Sequence, residues 1–303
     1  MKPDFPAVID STLIAAFRAC PQKAKLSYFD HWKPRGESVH LVAGAAYAAG
    51  LEAARRSYFY DGDPDLALER GSVALLASYG DFKCPPESQK TPERMLGALE
   101  YYFSKYGWDT DEAQPHVIAD KPCIEFSFAE PLPVHHPVTG DPLIYSGRAD
   151  MIARYAGALW VLDDKTTSSL GASWPNQWPL RSQFTAYTWA AHSAGIQTSG
   201  VLVRGVSILK TKYDTMQVFT NRHQWEIDRW LEQVVRDVER MKRAWESGEW
   251  DWNLDNACTE YGGCVFASQV CKSPDPSNWL PMYFERRRWD PLTRTETLLE
   301  PAE

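Results

Sequence analysis

The chain has 303 residues, enough for one large domain or two small ones around a substantial core. Its net charge of −8 argues against a broadly basic nucleic-acid surface but leaves room for a local groove. No apolar run approaches the roughly 20 residues a membrane span needs, and the opening M-K-P-D-F-P lacks a secretory h-region, so a cytoplasmic protein with reduced thiols is expected.

Ser11 reads as the N-cap of a helix over T-L-I-A-A-F-R-A-C that stops at Cys20-Pro21. A second helix is expected over 41–59, with Gly44, Tyr47, Leu51 and Ala54 on one face and Ala48 and Glu52 a turn apart on the next strip. By itself Glu52 reads as an ordinary exposed helix carboxylate. Residues 61–90 mix Asp, Pro and Gly with a short apolar helix over 66–79 and read as a peripheral helical insertion. Thr91 caps a further helix with Pro92 in its first turn, continuing to Tyr106. The stretch 116–128 has the β-propensity of one or two strands, and His135, His136 and Pro137 read as loop.

The segment S-G-R-A-D-M-I-A-R-Y-A-G-A-L-W-V-L-D-D-K-T-T, residues 146–167, is a predicted hairpin around Ala156-Gly157. With Tyr155 opposite Ala158, Asp150 falls opposite Asp163 and Arg148 opposite Lys165, each pair with Cβ atoms about 4.5–5.5 Å apart. Met151, Ala153, Trp160 and Leu162 share the other face, an apolar set fit for a core. Two facing carboxylates repel, so a fold that keeps them needs flanking cations, a shared proton or a divalent metal. Hard oxygen donors suit Mg²⁺ or Mn²⁺, and Lys165 on the same face is placed to orient water or stabilise developing phosphorane charge. Read alone, an isolated D-x-K is more readily a solvated charge cluster than a site.

After a loop over 168–179 comes a helix, R-S-Q-F-T-A-Y-T-W-A-A-H, in which Gln183 and Tyr187 share a face. Two strands are expected over 201–219, then a long amphipathic helix over 222–246 with Ile227, Leu231, Val234, Val238, Met241 and Trp245 as its core stripe. After Pro276 no element is evident, and Arg286, Arg287 and Arg288 read as DNA contacts or a solvated tail.

Cys258, Cys264 and Cys271 form C-x5-C-x6-C, with Tyr-Gly-Gly supplying a tight turn. Three thiols this close can converge on one metal centre, with Cys20, at the end of its helix, the candidate fourth. Cys84 reads as a loop residue and Cys123 as a buried strand thiol. Spacing leaves structural zinc and an iron–sulfur cluster both open.

The ordered set Cys20, G-x-x-Y-x-x-G-L-E, G-R-A-D, D-D-K-T-T, Q-x-x-x-Y and C-x5-C-x6-C resembles the RecB-like branch of the PD-(D/E)xK nucleases, over residues 8–272. Within it the likeness is to the iron–sulfur exonucleases of CRISPR systems, phage genomes and the AddB nuclease domain. The resemblance implies an α/β, restriction-endonuclease-like core: a central mixed sheet flanked by helices, with the N- and C-terminal segments joined by an iron–sulfur cluster. It implies a single nuclease domain over 1–275, with 1–60 and 247–275 forming the cysteine subregion and 276–303 a C-terminal tail.

It further implies a metal site of Asp150, Asp163 and the backbone carbonyl of Asp164, with Lys165 as catalytic lysine and Gln183 and Tyr187 positioning DNA. Arg148 and Arg181 are the candidate phosphate contacts, and Cys20, Cys258, Cys264 and Cys271 would bind a 4Fe-4S cluster, with structural zinc the alternative. The implied partners are DNA, single-stranded or with free ends, and phage, CRISPR or recombination proteins; an oligomeric assembly is compatible, and no membrane is involved. The family's helix motif carries a metal-binding His where this chain has Ala48. Glu52, one turn on, is the candidate replacement, and His40 lies two turns earlier. The function so implied is a metal-dependent DNA exonuclease. The alternative is a catalytically weakened DNA- or partner-binding module that keeps the cluster; an iron–sulfur redox protein is the third reading.

Overall fold

The computed structural model describes residues 2–259 and 263–299. The chain divides into two compact units, one of 1–36, 128–147 and 228–303, the other of 37–127 and 148–227.

The second unit is organised by the expected hairpin. Ala156 and Gly157 take the left-handed conformation (φ 47° and 80°), as a two-residue turn matched to strand twist requires. The register runs from Tyr155 opposite Ala158 to Met151 opposite Leu162. There the antiparallel ladder stops, short of Asp150 and Asp163. The strand Ala158–Thr167 instead runs parallel beside Thr198–Ile208, with Asp163 opposite Val203 and Lys165 opposite Gly205. Parallel pairing needs a crossover, supplied by the 168–181 loop and the helix Ser182–Ser193. Tyr213–Asn221 adds an antiparallel strand, making the sheet mixed.

Thr198–Ile208 is buried at every position but Ser199, the pattern of a strand covered on both faces. Its Val206 and Ile208 pack with Tyr47, Leu51, Met95 and Leu99 from the helices Val39–Asp61 and Pro92–Lys105. Met151, Ala153 and Leu162 pack with Leu202, Ala113 and Ile124, so the predicted apolar face of the hairpin is a core. The 61–90 segment contributes the helix Pro64–Tyr79, whose Leu75 and Tyr79 join the helical core. Its approach is close: a Cβ on Gly71 would sit 2.8 Å from the Gly50 carbonyl oxygen. Arg204, 1% exposed, gives both terminal nitrogens to Asp111 at 2.6 Å and donates to the Tyr102 hydroxyl at 3.0 Å.

In the first unit the helix Ser11–Ala19 is capped by Asp10, not Ser11: Asp10 is in extended backbone and accepts from Leu13 N–H at 2.8 Å, which makes Ser11 the first helical residue. The long helix Gln224–Ser247 buries Val234, Val238 and Met241 as expected, but Trp230 is buried where Leu231 is only partly so. The segment after Pro276, which offers no sequence signal, forms the helix Trp279–Tyr283 and the strands Phe284–Asp290 and Thr295–Leu298. Phe284–Asp290 pairs antiparallel with Trp32–Pro34. Arg287 is therefore a strand residue, ion-paired with Glu285 and Glu296 at 3.1 Å, rather than part of a solvated tail. No helix among the described residues is long and apolar enough to cross a membrane.

Candidate active site

A cavity of about 530 Å³ in the second unit is lined from the helix Val39–Asp61, the end of the strand Ala158–Thr167 and the helix Ser182–Ser193. It brings together Asp150, Asp163, Asp164, Lys165, Gln183 and Tyr187. The strand delivers Asp163 and Lys165 to one face by its two-residue period, and the crossover helix returns Gln183 and Tyr187 to the same end. Gln183 Nε2 donates to the Tyr187 hydroxyl at 2.8 Å, so the pair acts as one linked unit.

Because the ladder has ended, Asp150 meets the other strand through its side chain. Its Oδ2 accepts from the Asp164 N–H at 2.7 Å, and its carboxyl is held well above the usual range by burial and then by Asp163 and Asp164. Asp163, 1% exposed, is likewise raised by burial, while its ion pair with Lys165 pulls it back. Lys165 feels the same burial in the opposite sense, but Asp163 and Asp150 outweigh it and hold the ammonium protonated.

Several cavity residues carry no sequence motif. Arg55 pairs with Asp164 at 2.7 Å and donates to the Tyr102 hydroxyl at 2.6 Å. Glu125 and Lys90 line the wall, as does His40. Glu52 is not brought to the cavity. It pairs with Arg56 at 2.9 Å along the helix surface, because the lining positions 44, 47, 48, 51 and 55 follow one stripe and residue 52 falls off its edge. Ala48 presents a methyl group there. Of the candidate phosphate contacts, Arg148 pairs with Glu125 at 2.5 Å, and Arg181 is exposed with its charge reaching Asp163.

The carboxylates of Asp150 and Asp163 and the main-chain oxygen of Asp164 form a hard-oxygen donor set suited to Mg²⁺ or Mn²⁺. Burial raises both carboxyls, neighbouring carboxylates add to it (Asp163 and Asp164 at Asp150, Asp164 at Asp163), and Asp164 Oδ1 is buried without a hydrogen bond, so a dication fits the electrostatic need. Among the described residues no group of three or more His, Cys, Asp or Glu is arranged to hold a metal as it stands.

In the first unit, Cys20 separates the helices Ser11–Ala19 and Pro21–Ala24, and Cys258 lies in Asn256–Thr259. Cys264 N–H returns to the Cys258 carbonyl at 2.9 Å; the turn assigned to Tyr261-Gly262-Gly263 falls largely outside the described residues. The Cys271 thiol is pushed up to about 11 by burial and then by Cys264, Cys20 and Cys258, so the other three thiols lie within electrostatic reach of Cys271. They pack beside Leu26, Phe266, Val270 and Phe284 through Cys264 and Cys271. Crowded thiols fit a soft cation that would hold them as thiolates. Cys84 and Cys123 belong to the other unit.

A mixed sheet flanked by helices, with an acidic pair and a lysine at a strand end, defines an α/β fold with a carboxylate–lysine site. The family model described as the PD-(D/E)XK nuclease superfamily matches residues 12–272, and the chain belongs to that superfamily. No curated protein matches it. Among solved structures it is similar to SSO0001, at 18% identity over 65% of this chain and 74% of that one, with a TM-score of 0.29.

Proposed function

We propose that the chain is a metal-dependent deoxyribonuclease, an exonuclease acting on single-stranded DNA or free DNA ends. We place it in the RecB-like iron–sulfur branch of its superfamily, in recombination, repair, or phage or CRISPR DNA processing, with residues 1–275 as its nuclease domain. The observation that carries the reading is the meeting of Asp150, Asp163 and Lys165 with Gln183 and Tyr187 at one cavity. Held by Asp150, Asp163 and the Asp164 carbonyl, Mg²⁺ or Mn²⁺ would supply Lewis acidity and activate water toward a phosphodiester.

The chain's own residues then have distinct tasks. Lys165, drawn to the site by its two acidic neighbours, stabilises charge on the phosphate and orients the incoming water. Asp163 fixes the lysine through their ion pair. The Gln183–Tyr187 pair positions the strand. Arg181, exposed beside Asp163, and Arg148 are offered as phosphate contacts. Cys20, Cys258, Cys264 and Cys271 would hold a structural 4Fe-4S cluster, with zinc the alternative; iron and zinc analysis together with visible absorbance separates the two.

Incubation with end-labelled single-stranded DNA and Mn²⁺ tests the reading. Cleavage by the wild type, abolished in Asp163→Ala and Lys165→Ala, is the expected result; cleavage unchanged in both variants defeats it. A second reading, a DNA- or partner-binding module with weakened chemistry, is favoured by one observation, the methyl of Ala48 with Glu52 tied to Arg56. DNA binding without cleavage in any divalent metal would select it.

A further inference from the structure

Of the lysines and arginines lining the cavity, Arg55 is matched by Asp164 and Lys165 by Asp163. Lys90 is the exception. It lines the same cavity and is only 7% exposed, yet among the described residues it makes no ion pair. Its Nζ donates to the Thr166 hydroxyl at 3.1 Å. Burying an ammonium against one neutral oxygen is costly, and lysine is almost never this buried unless paired. The pKa of Lys90 is accordingly lowered, by burial alone.

The main chain fixes this lysine in place. Its N–H donates to Ser88 Oγ at 3.1 Å, and its carbonyl accepts from the buried Tyr79 hydroxyl at 2.7 Å. Thr91, the next residue, caps the helix Pro92–Lys105. The ammonium is therefore carried on a rigid junction and anchored to the strand that bears Asp163 and Lys165. Thr167 and Ser168 extend the hydroxyl-bearing wall beyond Thr166. A cation with hydroxyl neighbours and no carboxylate matches a phosphate monoanion: the ammonium supplies charge and the hydroxyls donate to non-bridging oxygens.

We propose that Lys90 and Thr166 form a phosphate-binding subsite of this cavity that takes a backbone phosphate of a bound single strand. The subsite rests on the nuclease reading, since a nucleic-acid strand is what would bring that phosphate. It gives the strand a contact outside the Asp150–Asp163–Lys165 group, fixing its path through the cavity.

The test measures binding of a fluorescently labelled oligothymidylate by anisotropy across a salt series, with Ca²⁺ in place of Mg²⁺, for the wild type, Lys90→Met and Lys90→Arg. Lys90→Met should bind about tenfold more weakly. Its slope of log affinity against log salt should be shallower by about 0.7, one phosphate contact to single-stranded DNA. Its melting temperature should be unchanged or higher, because a buried charge is gone. Lys90→Arg should keep the wild-type slope.

Wild-type affinity and slope in Lys90→Met overturn the subsite while leaving the nuclease reading intact. Weaker binding with an unchanged slope and a lowered melting temperature also overturns it, assigning Lys90 a structural task. A wild type that binds no oligothymidylate overturns the nuclease reading and the subsite together. Should Lys90→Met not fold, Lys90→Gln, which keeps a donor for Thr166 without the charge, carries the same slope measurement.

Discussion

Replacing Arg55 with methionine removes a guanidinium that is the ion-pair partner of Asp164 at 2.7 Å and a donor to Tyr102 at 2.6 Å. The side chains of Arg55 and Asp164 are 9% and 3% exposed, so the carboxylate left behind has little water to turn to. Asp164 Oδ1 already lacks a hydrogen bond, which leaves Oδ2 as the oxygen Arg55 compensates. Breaking a buried pair from one side costs about 3–5 kcal/mol. At about 2 °C per kcal/mol for a chain of this length, the melting temperature of Arg55→Met should fall by about 6–10 °C. Adding Asp164→Asn should restore most of the loss, because removing both charges together is often neutral. Thermal unfolding of the two single variants and the double variant gives the coupling directly. A fall below about 1 kcal/mol for Arg55→Met, or a double variant no better than the worse single one, would refute the buried-pair argument.

Asp150→Asn should stabilise the metal-free protein. The folded state raises the proton affinity of Asp150, so it retains a proton the unfolded chain releases, and wild-type stability falls as pH climbs from about 3.9 through the raised folded value. Melting curves in chelator should therefore converge below that window and separate above it, with Asp150→Asn the more stable. Gly71→Ala should destabilise by about 1–3 kcal/mol, since the new Cβ would lie 2.8 Å from the Gly50 carbonyl oxygen and two helices would have to part. Chemical denaturation measures it, and a neutral result would contradict the close approach. Glu52→Gln should leave Mn²⁺ affinity by calorimetry unchanged and cost only about 0.3–0.5 kcal/mol, the worth of an exposed helical ion pair; a marked loss of Mn²⁺ affinity would return Glu52 to the site.

The hairpin was legible because two local rules agree: Ala156-Gly157 permits the turn, and alternation sets the faces. Where its ladder ends was not legible. That depends on the competing parallel pairing of Ala158–Thr167 with Thr198–Ile208, a long-range choice with no local signal. For the same reason the register put Arg148 opposite Lys165, whereas Arg148 pairs with Glu125. Arg55 and Lys90 reach their partners Asp164 and Thr166 across 109 and 76 residues, outside any motif. Glu52 shows the opposite failure, since one turn of spacing from Ala48 does not ensure a shared target once the helix has chosen its buried stripe. The strand Phe284–Asp290 carries no local signal because its arginine run hides any period-two alternation, and its partner Trp32–Pro34 lies near the other end of the chain.

The proposed activity requires Asp150 and Asp163 to share a divalent cation beside Lys165. Anomalous diffraction from crystals soaked in Mn²⁺ tests it most directly. A peak within coordinating distance of both carboxylates and of the Asp164 carbonyl, lost in Asp163→Ala, is the expected result. A Mn²⁺ peak elsewhere in the cavity, or on Glu52, with Asp150 and Asp163 left uncoordinated, would contradict it.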